Sequence, residues 1–558
     1  MLSFIKKFKI RSLITFVISL LDLLFFISMR PLYSGIGKVV GSQALPIIVL
    51  VLVFLTFIST VILMAFKKEG FYIYIIMGLS ICYIGAFIAV ISMGGASYLR
   101  YVMRHFSYLL LGTLLLFAMI YLFVFYPKTK LYHNKLVNIL AVSLLAISIT
   151  LPALNVRVNI ITLKPVVYAV ENTYQIVFST SAKGDGRVKV GDKFYSDTFA
   201  GSDNTDTYIH KVSVPMDTLD NCKEYTVLSQ AMLYRGPFGG FKGAEVSYTS
   251  KFRPVDTSDG IQYTALSDVH DALNSASKVG GYFDEKLDFL VLAGDLVSMV
   301  DDYSDADFAS RLAYKITKGE RPVIYARGNH EIKSKEAKNL YKYVGAKGED
   351  FFYYFRMKDI FGIVLDLGED HEDDWWEYYG TARFDEYRNR QLEFLKTLDE
   401  KMSGSKFRMV VSHIPLVHIN YRKNFLEFKK QATTILNTMN IDIHLTGHQH
   451  QLVPFVPFSY EPYTKLVRKD GYEGYFLGGQ LTDFNFLSMM VGKRSMTQKA
   501  DADEFVTSHY TGMASNVDLT AKKETCFYIN SDKEIVPVAD MYRGTPIQDE
   551  FVYTLKNI

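Results

Sequence analysis

Apolar residues are spread unevenly along this chain. They crowd the first 155 positions in long runs and then break into short ones. Five early runs, at residues 13–28, 45–66, 71–93, 106–126 and 136–153, are each long enough to cross a bilayer core of about 30 Å. From about residue 164 to 254 the pattern turns to short strand-like runs, at 166–170, 174–178 and 208–214. Turn clusters such as Lys183-Gly184-Asp185-Gly186 separate them, and a stretch of this kind predicts a β-sandwich. From Gln262 onward, buried-strand patterns alternate with polar or amphipathic stretches at 282–286, 305–318 and 385–401, as in an α/β domain. The expected fold is multi-domain: an α-helical transmembrane bundle of five helices over residues 1–158, a β-sandwich over 159–256, and an α/β domain over 257–558.

The membrane reading rests on more than hydropathy. Residues 13–28 have the length of a signal peptide, but Ser28-Met29-Arg30-Pro31 is a poor cleavage site and four more runs follow, so the segment reads as a retained anchor. Lys6, Lys7, Lys9 and Arg11, then Lys67 and Lys68, then Lys128, Lys130 and Lys135 all fall on one side of five spans. The positive-inside bias makes that side cytoplasmic. Arg30, Lys38, Arg100 and Arg104 fall on the other side, so the bias is incomplete. An odd number of spans puts everything after Asn155 outside the cytoplasm. Asp22, within the first run, reads either as part of an ion or substrate path or as a protonated or helix-paired acid of the bundle, the second being preferred.

Charge and cysteine usage narrow the remaining classes. A net charge of +3 over 558 residues gives no strong attraction to nucleic acid, and none is expected as a stable partner. The expected partner on these grounds is the lipid bilayer; the oligomeric state stays open. Cys82, Cys222 and Cys526 show no metal-binding spacing. Cys222 and Cys526 can pair in an oxidising exterior, and two unpaired thiols is the preferred reading.

The chemistry lies at the ends of apolar runs. Asp268-Val269-His270 follows one ending at Leu266, Gly294-Asp295 follows Phe289-Leu290-Val291-Leu292, and Gly328-Asn329-His330-Glu331 follows Val323-Ile324-Tyr325. Ser412-His413 follows Met409-Val410-Val411, and Gly447-His448-Gln449-His450 closes a run from Ile441 to Leu445. Carboxylate, amide or imidazole groups at strand ends are the layout of a sheet-based active site. Such groups suit hard or borderline dications. Two of these can bind a phosphate, hold a water and lower its pKa.

The five blocks, in this order, resemble the calcineurin-like metallophosphoesterases, whose pattern is D-x-H, G-D, G-N-H-[ED], H and G-H-x-H. The resemblance implies two stacked sheets flanked by helices and two divalent metal ions, Mn²⁺, Zn²⁺ or Fe²⁺. It assigns Asp268, His270 and His450 to one ion, Asn329, His413 and His448 to the other, and Asp295 as the bridge. His330 matches the residue that contacts the phosphate and protonates the leaving group. Arg327 is a candidate to steady a phosphate oxygen, with a salt bridge as the alternative. Leu219, Tyr225-Thr226-Val227 and Tyr248 to Phe252 resemble a fibronectin III-like domain such as precedes the catalytic part of purple acid phosphatases, with Tyr225 as the corner tyrosine. That domain is expected to stand the catalytic part off the membrane. Ser298 occupies the place of the purple enzymes' iron-binding tyrosine, and His270 is present where they lack it, so no tyrosinate-to-iron colour is expected. His444 reads as a core group, His418 as a candidate for the pocket, His371 as part of a solvated acidic loop, and Trp375 to Tyr379 as packing. The function implied is hydrolysis of phosphomonoesters or phosphodiesters by a membrane-bound extracytoplasmic enzyme. The alternative is an inactive membrane receptor that binds a phosphorylated ligand through the same domain.

Overall fold

A computed structural model describes residues 159–235, 240–258, 260–419, 423–450, 452–455, 457, 463–467, 473–477, 479–492, 510–539 and 547–557. The five apolar runs, with Asp22 and Cys82, lie outside these residues. Among the described residues no helix is long and apolar enough to cross a membrane.

Short two-residue ribbons aside, the strands used below are, in chain order, β1 (Ile161–Val170), β2 (Thr173–Gly184), β3 (Arg187–Val190), β4 (Lys193–Ser196), β5 (Thr207–Pro215), β6 (Glu224–Arg235), β7 (Gly240–Lys251), β8 (Ile261–Leu266), β9 (Phe289–Ala293) and β10 (Pro322–Ala326). They continue as β11 (Tyr353–Met357), β12 (Ile360–Leu365), β13 (Phe407–Ser412), β14 (Ile443–Thr446), β15 (Pro454–Phe455), β16 (Leu487–Met490), β17 (Thr511–Asp518), β18 (Lys523–Asn530) and β19 (Phe551–Thr554). Four helices matter: α1 (Leu273–Gly280), α2 (Phe308–Thr317), α3 (Phe384–Leu395) and α4 (Lys423–Thr438).

Two sheets stack at the centre. The first runs β19-β18-β17-β8-β9-β10-β1-β2-β6-β3-β4, with β5 on β2 and β7 on β6. The second runs β11-β12-β13-β14-β16-β15. Side-chain alternation explains the layering. Along β8, Tyr263 faces the second sheet, its ring 6.3 Å from that of Phe407. Thr264 faces outward and donates to the Gly280 carbonyl at the end of α1. A side chain at Gly280 would strike Ile316 of α2, so the glycine lets both helices close on the sheet. β9 and β10 are buried at every position, which is why they read as unbroken apolar runs rather than alternating ones.

Two expectations need correcting. The β-rich region does not stand apart as a spacer. β1 pairs in parallel with β10, Val167 opposite Pro322, and so extends the sheet that contains β8, β9 and β10. Tyr225 does not close a corner on its own neighbourhood; its hydroxyl donates to the carbonyl of Gly319, just before β10, and clamps the two regions together. The late strands β18 and β19 add to the edge of the first sheet. Cys222 is exposed, Cys526 is buried, and both are free thiols.

Candidate metal centre

Every ligand candidate lies just past the carboxyl end of a parallel strand. Asp268 and His270 follow β8, Asp295 follows β9, Asn329 and His330 follow β10, His413 follows β13, and His448 and His450 follow β14. Parallel pairing of β8, β9 and β10 in one sheet, and of β13 and β14 in the other, brings these ends to one edge of the stack. The turns there are strained. Asp268, His270, Asp295, His448 and His450 all hold positive φ, between 42° and 79°. For side chains with a Cβ, that conformation costs on the order of 1–3 kcal/mol each and persists only where the surroundings enforce it. Gly294, at φ +84°, leaves no room for a side chain between the Gly328 backbone and His413.

The side chains converge in three overlapping groups: Asp268, His270 and His450; His270, Asp295 and His330; and Asp295, His413 and His448. Within each, the candidate ligand atoms lie within 4.8 Å of one another. Asp295 joins two of the groups. Its Oδ2 is 3.0 Å from His413 Nε2, 3.8 Å from His330 Nε2 and 4.0 Å from His270 Nε2. Its Oδ1 accepts from the His330 backbone N–H at 2.9 Å. Asn329 sits beside His448, Oδ1 to Nδ1 3.1 Å, while the His448 backbone N–H donates to the Asp268 carboxylate.

Hydrogen bonds fix which ring nitrogen faces inward. His413 Nδ1–H donates to the Ala293 carbonyl at 2.8 Å, so Nε2 is the ring nitrogen turned toward Asp295. That Nε2 is buried without a well-directed hydrogen bond in the protein. His330 Nδ1–H donates to the Ser298 carbonyl at 2.8 Å, again leaving Nε2 toward the cluster. His270 Nε2 and His450 Nε2 stand 3.1 Å apart, where a proton or a cation must separate two lone pairs.

The electrostatics match a site for positive charge. Burial works against ionising Asp295, but His413 and His330 outweigh it and hold the carboxyl far below the usual range. Burial likewise opposes a proton on His413, and the adjacent Asp295 carboxylate overcomes it and raises the ring. Burial pushes His270 down to about 4, into the neutral form that binds metals. Carboxylate, amide and imidazole donors, with an inward ring nitrogen left unbonded, fit a pair of dications.

Sequence reasoning left the supporting residues without roles. Glu331 is buried, and its carboxylate accepts from the backbone N–H groups of Asp295, Leu296 and Gly328, at 2.8, 2.5 and 2.9 Å. Burial, then the Asp295 carboxylate, pushes it up to about 7. Its place in the Gly-Asn-His-Glu block was the signal. Glu369 accepts from Asn329 Nδ2 at 3.2 Å, and Asp370 stands 3.4 Å from His448 Nε2. The acidic loop expected to be solvated therefore turns its first two carboxylates onto the centre, while His371 stacks on Trp375.

Arg327 does not join the cluster. It pairs with the buried Asp366 at 2.7 Å and lies over the Phe351 ring, which makes it the salt bridge of the two readings. His444 is a core group, bonded through both nitrogens to Ser412 and Ser488. His418 is buried near Phe455 and stands outside the three groups.

Fold and centre together make a sheet-edge site whose carboxylate, amide and imidazole groups can hold metal ions. Residues 261–452 match the family model of the calcineurin-like phosphoesterases, a span that contains every ligand candidate from Asp268 to His450. Among solved structures, a purple acid phosphatase, PPD1, from seeds of yellow lupin (Lupinus luteus) is similar at 13% identity, over 71% of this chain and 74% of that one, with a TM-score of 0.43. A structure of PhoD is similar at 13% identity, over 71% of this chain and 90% of that one, with a TM-score of 0.39. Among curated proteins, none matches the chain by sequence.

Proposed function

We propose that this protein is a membrane-anchored phosphoesterase whose centre lies outside the cytoplasm and hydrolyses phosphomonoesters or phosphodiesters with two divalent ions. The convergence of both ligand groups on Asp295 carries the catalytic part of the reading. The apolar runs and the lysine distribution of residues 1–158 support the anchor and its orientation.

Asp268, His270 and His450 would hold one ion and Asn329, His413 and His448 the other, with Asp295 reaching both. Such ions supply charge to bind the phosphate and lower the pKa of the attacking water. The chain does the rest. Glu331 keeps the Asp295 and Gly328 turns in register. The Ser298 carbonyl aims the His330 Nε2 inward, and the His330 side chain, 32% exposed, is the most open of the candidate side chains around Asp295. From there it can touch a phosphoryl oxygen and give a proton to the leaving alkoxide.

The test is turnover of a chromogenic monoester and a chromogenic diester by protein loaded with Mn²⁺. Activity should vanish in Asp295→Asn and fall in His330→Ala. Turnover unchanged in both variants would place the chemistry elsewhere, and ester binding without turnover would favour a receptor. In intact cells, an impermeant thiol label should reach Cys222 and not Lys135→Cys; the reverse pattern would invert the orientation.

A further inference from the structure

β1 fixes which way the centre faces relative to the preceding chain. It runs parallel to β10, Val167 opposite Pro322, and every ligand lies past the carboxyl ends of such strands. Asn159 lies eight residues back from Val167, whereas Ala326 lies four residues beyond Pro322. At about 3.3 Å per residue, allowing for the irregular pairing near Leu163, Asn159 and the metal centre are separated by roughly 35–40 Å along the strand direction.

The chain is fastened at the Asn159 end. Asn159 Nδ2 donates to Ser229 Oγ, the Ile160 N–H donates to Ser181 Oγ, and the Ile160 carbonyl accepts from the Ser181 N–H. Residues 154–158 alone separate this anchorage from the apolar run 136–153. Five residues reach at most about 18 Å. A second feature marks the same end. The hairpin of Thr198–Phe199 and Ser202–Asp203 is tied to it by the Asp197 N–H donating to the Gly186 carbonyl. Its tip presents Phe199, 78% exposed; at the same end Lys183, near the end of β2, pairs with Asp206 at 2.7 Å. A large exposed apolar side chain at a hairpin tip, at the end nearest the apolar run, suits contact with a membrane interface.

We infer that the Phe199 end of the β-rich region rests on the bilayer and that the metal centre opens on the far side, so that the substrate is a phosphoester not embedded in the enzyme's own leaflet. The inference rests on the proposed anchor and activity. Rigidity follows from the shared sheet and from the Tyr225–Gly319 bond, which leave no free linker to fold the centre back.

Two measurements on the full chain in vesicles test it. The chain has only two tryptophans, Trp375 and Trp376, on the loop whose Glu369 and Asp370 touch the metal centre. Lipids carrying a nitroxide at the headgroup should leave their fluorescence unquenched, and Phe199→Trp should add a component that these lipids quench. Quenching of the native tryptophans as strong as that of Phe199→Trp overturns the inference. Second, a soluble chromogenic ester should be cleaved at the same rate in vesicles and in detergent. A phosphorylated lipid in the same bilayer should be cleaved at least about tenfold more slowly than in detergent micelles, because a tether that cannot span the gap gives almost no effective concentration. Equal lipid rates overturn the inference. Failure to cleave the soluble ester refutes the activity and leaves quenching to decide the geometry. Release of the protein by an alkaline wash refutes the anchor and the inference with it.

Discussion

Replacing Glu331 with glutamine changes one oxygen to NH₂ and leaves shape and volume almost untouched. In the native protein Oε2 accepts from the N–H groups of Asp295 and Gly328, and Oε1 accepts from that of Leu296. Glutamine can keep its oxygen at one of these places only. Its amide then points two hydrogens at a backbone N–H, with 2% of the residue exposed to water. A hydrogen bond to a charged group contributes about 1.5–3 kcal/mol, and a buried donor left unpaired adds a penalty of about 1–3 kcal/mol. The Leu296 side of the turn is expected to give way, tilting Asp295 out of its φ of +52°. Because Asp295 reaches both ligand groups, a shift there loosens both ions. Losing a group that orients a ligand typically lowers metal affinity about 10–100-fold, or about 1.4–2.7 kcal/mol. The assay is calorimetric titration of apo-protein with Mn²⁺, alongside thermal unfolding with and without metal. Glu331→Gln should bind metal in that weaker range, and the stabilisation that saturating metal confers should shrink. Wild-type affinity in a folded Glu331→Gln protein would refute the idea that this carboxylate sets the position of Asp295.

Three further outcomes follow from the packing. Tyr225→Phe should lower stability by about 1–3 kcal/mol, since it orphans the buried Gly319 carbonyl, and should leave kcat unchanged; a drop in kcat at full stability would contradict a purely structural clamp. Arg327→Gln breaks a buried pair and should cost about 3–5 kcal/mol of stability, with KM for a phosphoester unaltered; a severalfold rise in KM would restore Arg327 as a phosphate contact. His444, buried and neutral, is pushed down to about 3 by burial and then by Lys429. The unfolded chain takes up this proton below about pH 6.5 and the native state does not, so the stability is present above about 6.5 and lost as pH falls toward 3. The loss should run at about 1.4 kcal/mol per pH unit, and denaturant unfolding of His444→Gln, whose amide can keep the bonds to Ser412 and Ser488, should lack that part of the slope.

The α/β half was the legible part of this sequence. Buried parallel strands are continuous apolar runs, and a polar group directly after one has to sit at the sheet edge, so Asp268, Asp295, Asn329, His413 and His448 declared themselves. What stayed hidden depends on long-range pairing. Nothing local to residues 161–170 says that they will pair with Pro322 rather than only with their own hairpin. The outer position of β18 and β19 is equally invisible, since either sheet would accept two more apolar strands. Arg327 was ambiguous because its partner, Asp366, lies 39 positions away on another loop. The helices α1 and α4 escaped notice because their apolar stripes are short and interrupted by polar residues.

The insertion of β1 between β10 and β2 has a practical consequence for dissecting the molecule. A protease that cuts between β7 and β8 would sever the backbone without freeing either half, because ladder hydrogen bonds still run across the cut. A recombinant fragment begun at residue 257 would instead expose the flank of Pro322–Ala326. Such a bare, apolar strand edge invites other chains to pair with it, and the fragment is expected to aggregate while the longer chain stays dispersed.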